Sequence, residues 1–201
     1  PLLGRQPASS WTEAVRAADA AGAPLSVDLN YRPQLGSFAD LWAIVEAEVG
    51  RIHLLILSVH SCHALAEHLG VGTPQGHASG GGDPPAKRAR AEAGAVAAEG
   101  DDTADALVPV LTAIHARLSG PAVACCLKQR GADKKQTRWS VLVDGDGLHS
   151  TEPTPVVHTP KDECGGGSAW AAGVIDALGH DLVASGKSRP DRKGAAVALG
   201  R

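Results

Sequence analysis

The sequence predicts an α/β protein, a three-layer α/β/α sandwich around a mainly parallel sheet. Short apolar runs alternate with longer amphipathic stretches over most of the chain. The run Pro121–Leu127 is apolar at nearly every position, as in strands buried on both faces. The composition, 43% hydrophobic and 20% charged, is that of an ordinary globular protein, so we treat residues 1–201 as a single domain.

The first third of the chain is predicted to alternate between helix and strand. Ser10-Trp-Thr-Glu13 has the spacing of a capping box, so we predict a helix that begins there, continues through Ala21 and stops at Gly22. Apolar and amphipathic stretches then predict a strand at Pro24–Asp28, a helix at Phe38–Glu48, a strand at His53–Leu57 and a helix at Cys62–Leu69.

The composition changes between Thr73 and Gly100. This stretch is rich in Gly, Ala, Pro and charged residues and has no steady apolar period, so we predict a disordered surface insertion at residues 73–100. Lys87-Arg-Ala-Arg90 has the composition of a nuclear localisation signal or an anion patch. Because the match is so short, we favour a solvated charge run in a loop.

Regular structure is predicted to return after this stretch. Asp101-Asp-Thr103 offers N-cap residues for a helix through Leu118, which Gly120-Pro121 ends. The elements predicted after the strand Pro121–Leu127 are a strand at Arg138–Asp144, a hairpin turn at 144–147, a strand at Leu148–Thr151 and a helix at Ala169–Leu178.

Charge, hydropathy and cysteines narrow the function classes. A net charge of −3 gives no electrostatic reason to expect nucleic acid or an anionic membrane as a partner, and the longest clean apolar run, Leu54–Leu57, cannot span a bilayer.

The cysteines indicate the redox environment. Adjacent Cys125 and Cys126 would point to opposite faces of a strand, which is poor geometry for a structural disulfide. This arrangement suits a reducing compartment, so we expect a cytoplasmic protein. The chain starts at Pro1 and contains no Met, so we expect a fragment.

Two segments are candidates for ligand binding. Gly165-Gly-Gly167 precedes a predicted helix, and free N–H groups at a helix start attract phosphate; the alternative is a glycine-rich turn that only caps the helix. Asp28-Leu-Asn-Tyr-Arg-Pro33 lies at the carboxyl end of a predicted strand, where ligands bind in open α/β sheets. Its Arg32 offers a planar fork for a carboxylate or phosphate, against the alternative of an ordinary surface arginine.

Three segments, in order along the chain, resemble those of one kinase family. Val27-Asp-Leu-Asn-Tyr-Arg-Pro33 is similar to the D-x-N-x-R segment of 2-keto-3-deoxygluconate kinases. Leu127-Lys-Gln-Arg-Gly131 lies where the family has a strand and a Lys-x-Gly-like turn near the nucleotide. Asp162-Glu-Cys-Gly-Gly-Gly-Ser-Ala-Trp-Ala-Ala-Gly173 resembles the signature D-T-x-G-A-G-D-x-F-x-x-G of the ribokinase-like (PfkB) carbohydrate kinases.

The resemblance implies a ribokinase-like fold and transfer of the γ-phosphoryl group of ATP, accompanied by Mg²⁺, to a primary hydroxyl of a sugar or sugar acid such as 2-keto-3-deoxygluconate. It implies that the complete protein contains further N-terminal strands and a lid, and that it is able to form a homodimer. The implied site residues are Gly165, Gly166 and Gly167 for the anion hole, Ser168 at the catalytic-base position, Arg32, Asn30 and Asp28 for the substrate, and Lys128, Arg130 and Gly131 for the nucleotide.

The sequence departs from the family pattern at two places. The family's general base, an aspartate, falls on Ser168, whose neutral hydroxyl cannot accept a proton at pH 7 as a carboxylate does; such a base contributes about 10²–10⁴-fold to the rate. The family's metal-organising N-x-x-E segment is replaced by Ser58-Val-His-Ser-Cys-His63, whose His and Cys residues are too closely spaced for the standard zinc patterns. A non-catalytic ligand-binding or scaffold relative, or an inactive gene fragment, therefore remains an alternative to an active sugar kinase.

Overall fold

The computed structural model describes residues 5–72, 104–130, 136–156 and 165–185. The predicted insertion at 73–100, the predicted N-cap cluster Asp101–Thr103, the site residue Gly131 and Asp162 of the signature segment lie outside these ranges. Within them, no helix is both long enough and apolar enough to cross a membrane.

Helices and strands alternate over residues 5–69, as the sequence predicts, and the described strands over residues 122–155 then follow one another directly between two helices. The helices are α1 (Arg5–Ala20), α2 (Phe38–Glu46), α3 (Val59–Leu69), α4 (Ala104–Leu118) and α5 (Gly166–Ser185). The strands are β1 (Leu25–Asp28), β2 (Ile52–Leu57), β3 (Ala122–Arg130), β4 (Gln136–Asp144), β5 (Gly147–Ser150) and β6 (Thr154–Pro155), and short 3₁₀ turns lie at Pro33–Leu35 and Val49–Arg51.

The strands form one sheet in the order β1-β2-β3-β4-β5, with β6 also paired to β4. Strands β1, β2 and β3 are parallel, whereas β4 runs antiparallel to β3, β5 and β6. The pairing of Asp144 with Gly147 closes the predicted β4–β5 hairpin.

Both faces of the sheet are covered by helices. One face carries the larger core, in which α2, α3 and α4 pack on the sheet and bury Trp42, Leu65 and Leu111. The other face packs against α5, where Ala171 and Val174 lie with Ile56 and Leu142. The predicted three-layer α/β sandwich is therefore confirmed.

Three helix starts differ from the sequence prediction. Helix α1 begins at Arg5 and not at the predicted cap Ser10, which lies inside the helix. Pro7 is compatible with this longer helix because the N–H groups of the first turn have no intrahelical partner. The absence of a backbone N–H at Pro7 therefore removes no helix hydrogen bond. Helix α3 begins at Val59, before the predicted Cys62, and helix α5 begins at Gly166, before the predicted Ala169.

The topology brings the candidate residues to one edge of the sheet. Because β1, β2 and β3 are parallel, their carboxyl ends meet at this edge, marked by Asp28, Ser58 and Lys128. Strand β4 starts from the same edge, so Arg138 lies there too. We call this edge, defined by these four residues, the carboxyl edge.

Candidate functional site

The proposed substrate segment begins with a tight turn after β1. The Asn30 backbone N–H donates to Asp28 Oδ1 at 2.9 Å, an Asx turn, and Asn30 itself has a left-handed φ of 36°. This turn directs the chain out of the sheet, so that Arg32 lies exposed at the carboxyl edge. Desolvation raises the pKa of the Asp28 carboxyl above its ordinary value, while the Asn30 hydrogen bond and the Arg32 charge act in the opposite direction.

Aromatic contacts attach this segment to the start of α3. The Tyr31 ring stacks on His60 with centroids 5.4 Å apart and an interplanar angle of 7°. The same ring meets Phe38 edge-to-face at 5.1 Å. These contacts hold Tyr31, the residue before Arg32, between the start of α2 and the start of α3.

The first turn of α3 follows β2, where the sequence resemblance leads us to expect a metal-organising segment. Ser58 and Ser61 have the N-x-x-E spacing, but their hydroxyls bond each other at 2.9 Å and Ser58 Oγ accepts the Ser61 N–H as an N-cap. Cys62 is buried in the core. In the described part of the chain no group of three or more His, Cys, Asp or Glu residues could hold a metal ion.

The glycine segment forms the start of α5. Gly165 has a φ of 80°, which favours glycine, and its carbonyl accepts the Ala169 N–H at 2.8 Å. Ser168 is exposed in the first helical turn, which contains no acidic residue. The free N–H groups of this turn and the positive end of the helix dipole create an environment that favours an anion.

Arg138 lies directly beside this helix start. A Cβ added to Gly166 would stand 3.4 Å from Arg138 Nη1, so glycine allows the guanidinium to approach the backbone. Across the sheet, Arg138 pairs with Lys128, and directly opposed residues share one face. Lys128 is exposed near the end of β3, and Arg130 is the last residue of that strand.

Sequence reasoning placed Arg138 in a strand but gave it no role. The sequence does contain an indication of a polar face: Gln136, Arg138 and Ser140 stand at every second position of β4, so their side chains share one face of the strand. The partner across the sheet was not predictable, because it depends on the register between β3 and β4.

The interior neighbours of this cationic pair are polar. The Trp170 indole N–H of α5 donates to Ser140 Oγ at 2.7 Å. Ser140 in turn pairs with Cys126 on β3. Burial, followed by the neighbouring Cys125, raises the pKa of the Cys126 thiol, and the charges of Arg138 and Lys128 oppose this. Cys126 is therefore a protonated thiol at neutral pH and not an activated nucleophile.

Comparison with solved structures identifies the fold. Similarity to 2-dehydro-3-deoxygluconokinase from Thermotoga maritima covers 100% of this chain and 52% of that chain, with a TM-score of 0.63 and 14% sequence identity. The fold is that of the ribokinase-like sugar kinases. A PfkB family carbohydrate kinase from Listeria grayi gives a TM-score of 0.59 at 16% identity, with 96% of this chain and 48% of that chain covered.

The sugar-kinase fold confirms the fold class that the sequence resemblance implies. The chain spans about half the length of these two solved structures, with 52% and 48% of them covered. No protein-family model matches the sequence, and no curated protein emerges as a relative.

Proposed function

We propose that the complete protein to which this chain belongs is an ATP-dependent sugar kinase. It phosphorylates a primary hydroxyl of a sugar or sugar acid such as 2-keto-3-deoxygluconate. The observation that carries this proposal is the position of the α5 start, with Gly166 against Arg138, at the same carboxyl edge as Arg32. One edge thus offers a site for phosphate and an arginine for a carboxylate.

The proposed role of each site residue follows from the chemistry of its side chain or backbone. Arg32 is exposed and binds the substrate carboxylate, with Asn30 and Asp28 shaping the turn that presents it. The backbone N–H groups of the glycine segment bind the phosphoryl group that is transferred. Nucleotide contacts come from Lys128, Arg130 and Gly131.

Magnesium would be held mainly by the phosphates of ATP. The described residues offer no cluster of carboxylates for it, and the hydroxyls of Ser58 and Ser61 bond each other. Magnesium commonly keeps several waters and binds through substrate phosphates, so it neutralises phosphate charge without a dedicated protein cage.

In the proposed reaction the substrate hydroxyl oxygen bonds to the γ-phosphorus, the bond to the β-phosphate oxygen breaks, and ADP leaves. The hydroxyl proton must be released, and Ser168 is a neutral hydroxyl at the position of the family base. Water then takes the proton, and the rate is expected to be lower by about 10²–10⁴-fold than with a positioned carboxylate.

A second candidate function is ligand binding without catalysis. Two observations favour it: Ser168 offers no carboxylate, and Ser58 and Ser61 satisfy each other as a helix cap. In this alternative the site binds nucleotide or sugar acid but does not transfer a phosphoryl group.

ADP release by the complete protein separates the two functions. We expect release in a coupled assay that requires both Mg-ATP and a sugar acid such as 2-keto-3-deoxygluconate, and less release with a neutral sugar of equal size, which offers Arg32 no carboxylate. Binding of both ligands in calorimetry without sugar-dependent ADP release would reject the kinase and leave the binding function.

We place the protein in the cytoplasm. Cys62, Cys125 and Cys126 are free thiols, which suits a reducing compartment. The proposed partners are small molecules, ATP and a sugar or sugar acid, and the complete protein is proposed to be capable of forming a homodimer.

A further inference from the structure

Arg138 has an unusual environment for an arginine inside a sheet. Its side chain points to the face covered by α5, since Ser140, two residues further along β4, bonds Trp170 of that helix. Its Nη1 lies 3.4 Å from the position that a Cβ on Gly166 would occupy. The guanidinium therefore lies against the backbone at the start of α5.

No acidic partner balances this charge in the part of the chain that the structure describes. The guanidinium bonds the neutral side chain of Gln136, from Nη2 to Oε1 at 3.4 Å. Its Nε is fully buried and has no hydrogen-bond acceptor among the described residues. Buried polar groups of native proteins are nearly always satisfied, so this donor indicates a missing acceptor.

The surroundings of Arg138 add positive charge. Lys128 is its direct partner across the β3–β4 ladder, and like charges at opposed positions are destabilising. The N-terminus of α5 contributes the positive end of a helix dipole, which also disfavours a cation. The Arg138 guanidinium and the start of α5 thus bring positive charge to one point, and an anion there would be attracted by both.

We propose that Arg138 is a phosphate-binding residue, which holds oxygens of the transferred phosphoryl group together with Lys128 and the N–H groups of the glycine segment. The planar guanidinium presents two parallel donors that match two oxygens of one phosphate. The identity of the anion as a nucleotide phosphoryl group rests on the proposed function. Binding of a phosphate-like anion by Arg138 does not depend on the proposed function.

Calorimetric titration with inorganic pyrophosphate and tripolyphosphate, in phosphate-free buffer, tests the proposal. Arg138→Gln should weaken binding about tenfold or more, because a hydrogen bond to a charged group is lost. The affinity of Arg138→Lys should lie between those of the wild type and Arg138→Gln, because lysine keeps the charge but lacks the two parallel donors of the guanidinium. The matched control is Arg16→Gln, an equal loss of charge at an exposed position of α1, which should bind as the wild type does.

Thermal unfolding provides a second measurement that separates binding from folding. Without anion, Arg138→Gln should unfold close to the wild-type temperature, because the guanidinium gives up only a long hydrogen bond to Gln136. With tripolyphosphate, the wild type should be stabilised and the variant much less so. An equal affinity in both proteins, or a variant that unfolds earlier without anion and gains as much from it, would overturn the proposal.

The outcome is independent of catalysis. Pyrophosphate binding that depends on Arg138, in a protein that releases no ADP, would uphold this inference and reject the kinase. Sugar-dependent ADP release that is unchanged in Arg138→Gln would uphold the kinase and reject the role of Arg138.

Discussion

The Trp170 indole N–H donates to the Ser140 hydroxyl at 2.7 Å, and this bond ties α5 to β4. Ser140 is 2% exposed, and Arg138 lies two residues before it on the same face of the strand. The bond therefore fixes the helix close to the arginine that faces Gly166. A phosphate site at the α5 start depends on this attachment.

Ser140→Ala should lower the free energy of unfolding by about 1–2 kcal/mol, because it leaves a partly buried indole N–H without its acceptor. Urea denaturation measures the loss. Ser150→Ala, at an exposed serine of β5, is the control and should change stability by less than about 0.5 kcal/mol. Combining Ser140→Ala with Trp170→Phe should add little to either single change; full additivity would contradict a shared bond.

Ser168→Asp should increase sugar-dependent ADP release by the complete protein. A carboxylate at this position supplies the general base, which is worth about 10²–10⁴-fold. It should also stabilise the helix by about 0.3–1 kcal/mol, since the first turn of α5 contains no acidic residue. Ser168→Asn, similar in shape but not basic, should leave the rate low. A variant that gains the helix stability without a higher rate would remove position 168 from the chemistry.

Arg32→Ala should raise the KM or dissociation constant for a sugar acid about tenfold or more, since a charge-assisted contact to the carboxylate is lost. Affinity for a neutral sugar of equal size should not change. Arg32→Lys should recover part of the loss because it restores the charge without the fork. Equal losses for the acid and the neutral sugar would show that Arg32 shapes the site and does not contact the carboxylate.

Asp28→Asn should change how stability depends on pH. The folded pKa of Asp28 lies above its ordinary value of 3.8, so the folded state binds more protons than the unfolded state in the window above 3.8. The contribution of Asp28 to stability is present below that value and is lost as pH rises toward the folded pKa. Asparagine keeps an acceptor for the Asn30 N–H.

Urea unfolding of both proteins at pH 4 and pH 7 measures this effect. The gain in stability from Asp28→Asn, relative to wild type, should be larger at pH 7. A gain that is larger at pH 4 would mean that the Arg32 charge and the Asn30 bond outweigh desolvation.

Much of the fold was predictable because it depends on local patterns. The apolar run that became β2 and the hairpin between Asp144 and Gly147 follow from residue order alone. The capping-box prediction failed at Ser10 because Pro7 permits an earlier start, and inside the helix the Thr12 hydroxyl donates to the Ala8 carbonyl at 3.2 Å.

The site was only partly predictable, because its geometry depends on residues far apart in the chain. Arg32 and the glycine segment are visible as motifs. The stacking of Tyr31 on His60 requires β1 and β2 to be neighbours, and the pairing of Lys128 with Arg138 requires the β3–β4 register. Neither relationship leaves a periodic signal in the sequence. The position of the Arg138 charge beside the start of α5 was therefore visible only in the structure.

The most direct test of the central claim is calorimetric titration of the folded chain with Mg-ATP, followed by 2-keto-3-deoxygluconate. A phosphate site at the start of α5 and a carboxylate site at Arg32 predict that the chain binds one molecule of each ligand. A chain that unfolds cooperatively, and is therefore folded, but releases no heat with either ligand and gains no thermal stability from them would contradict the account.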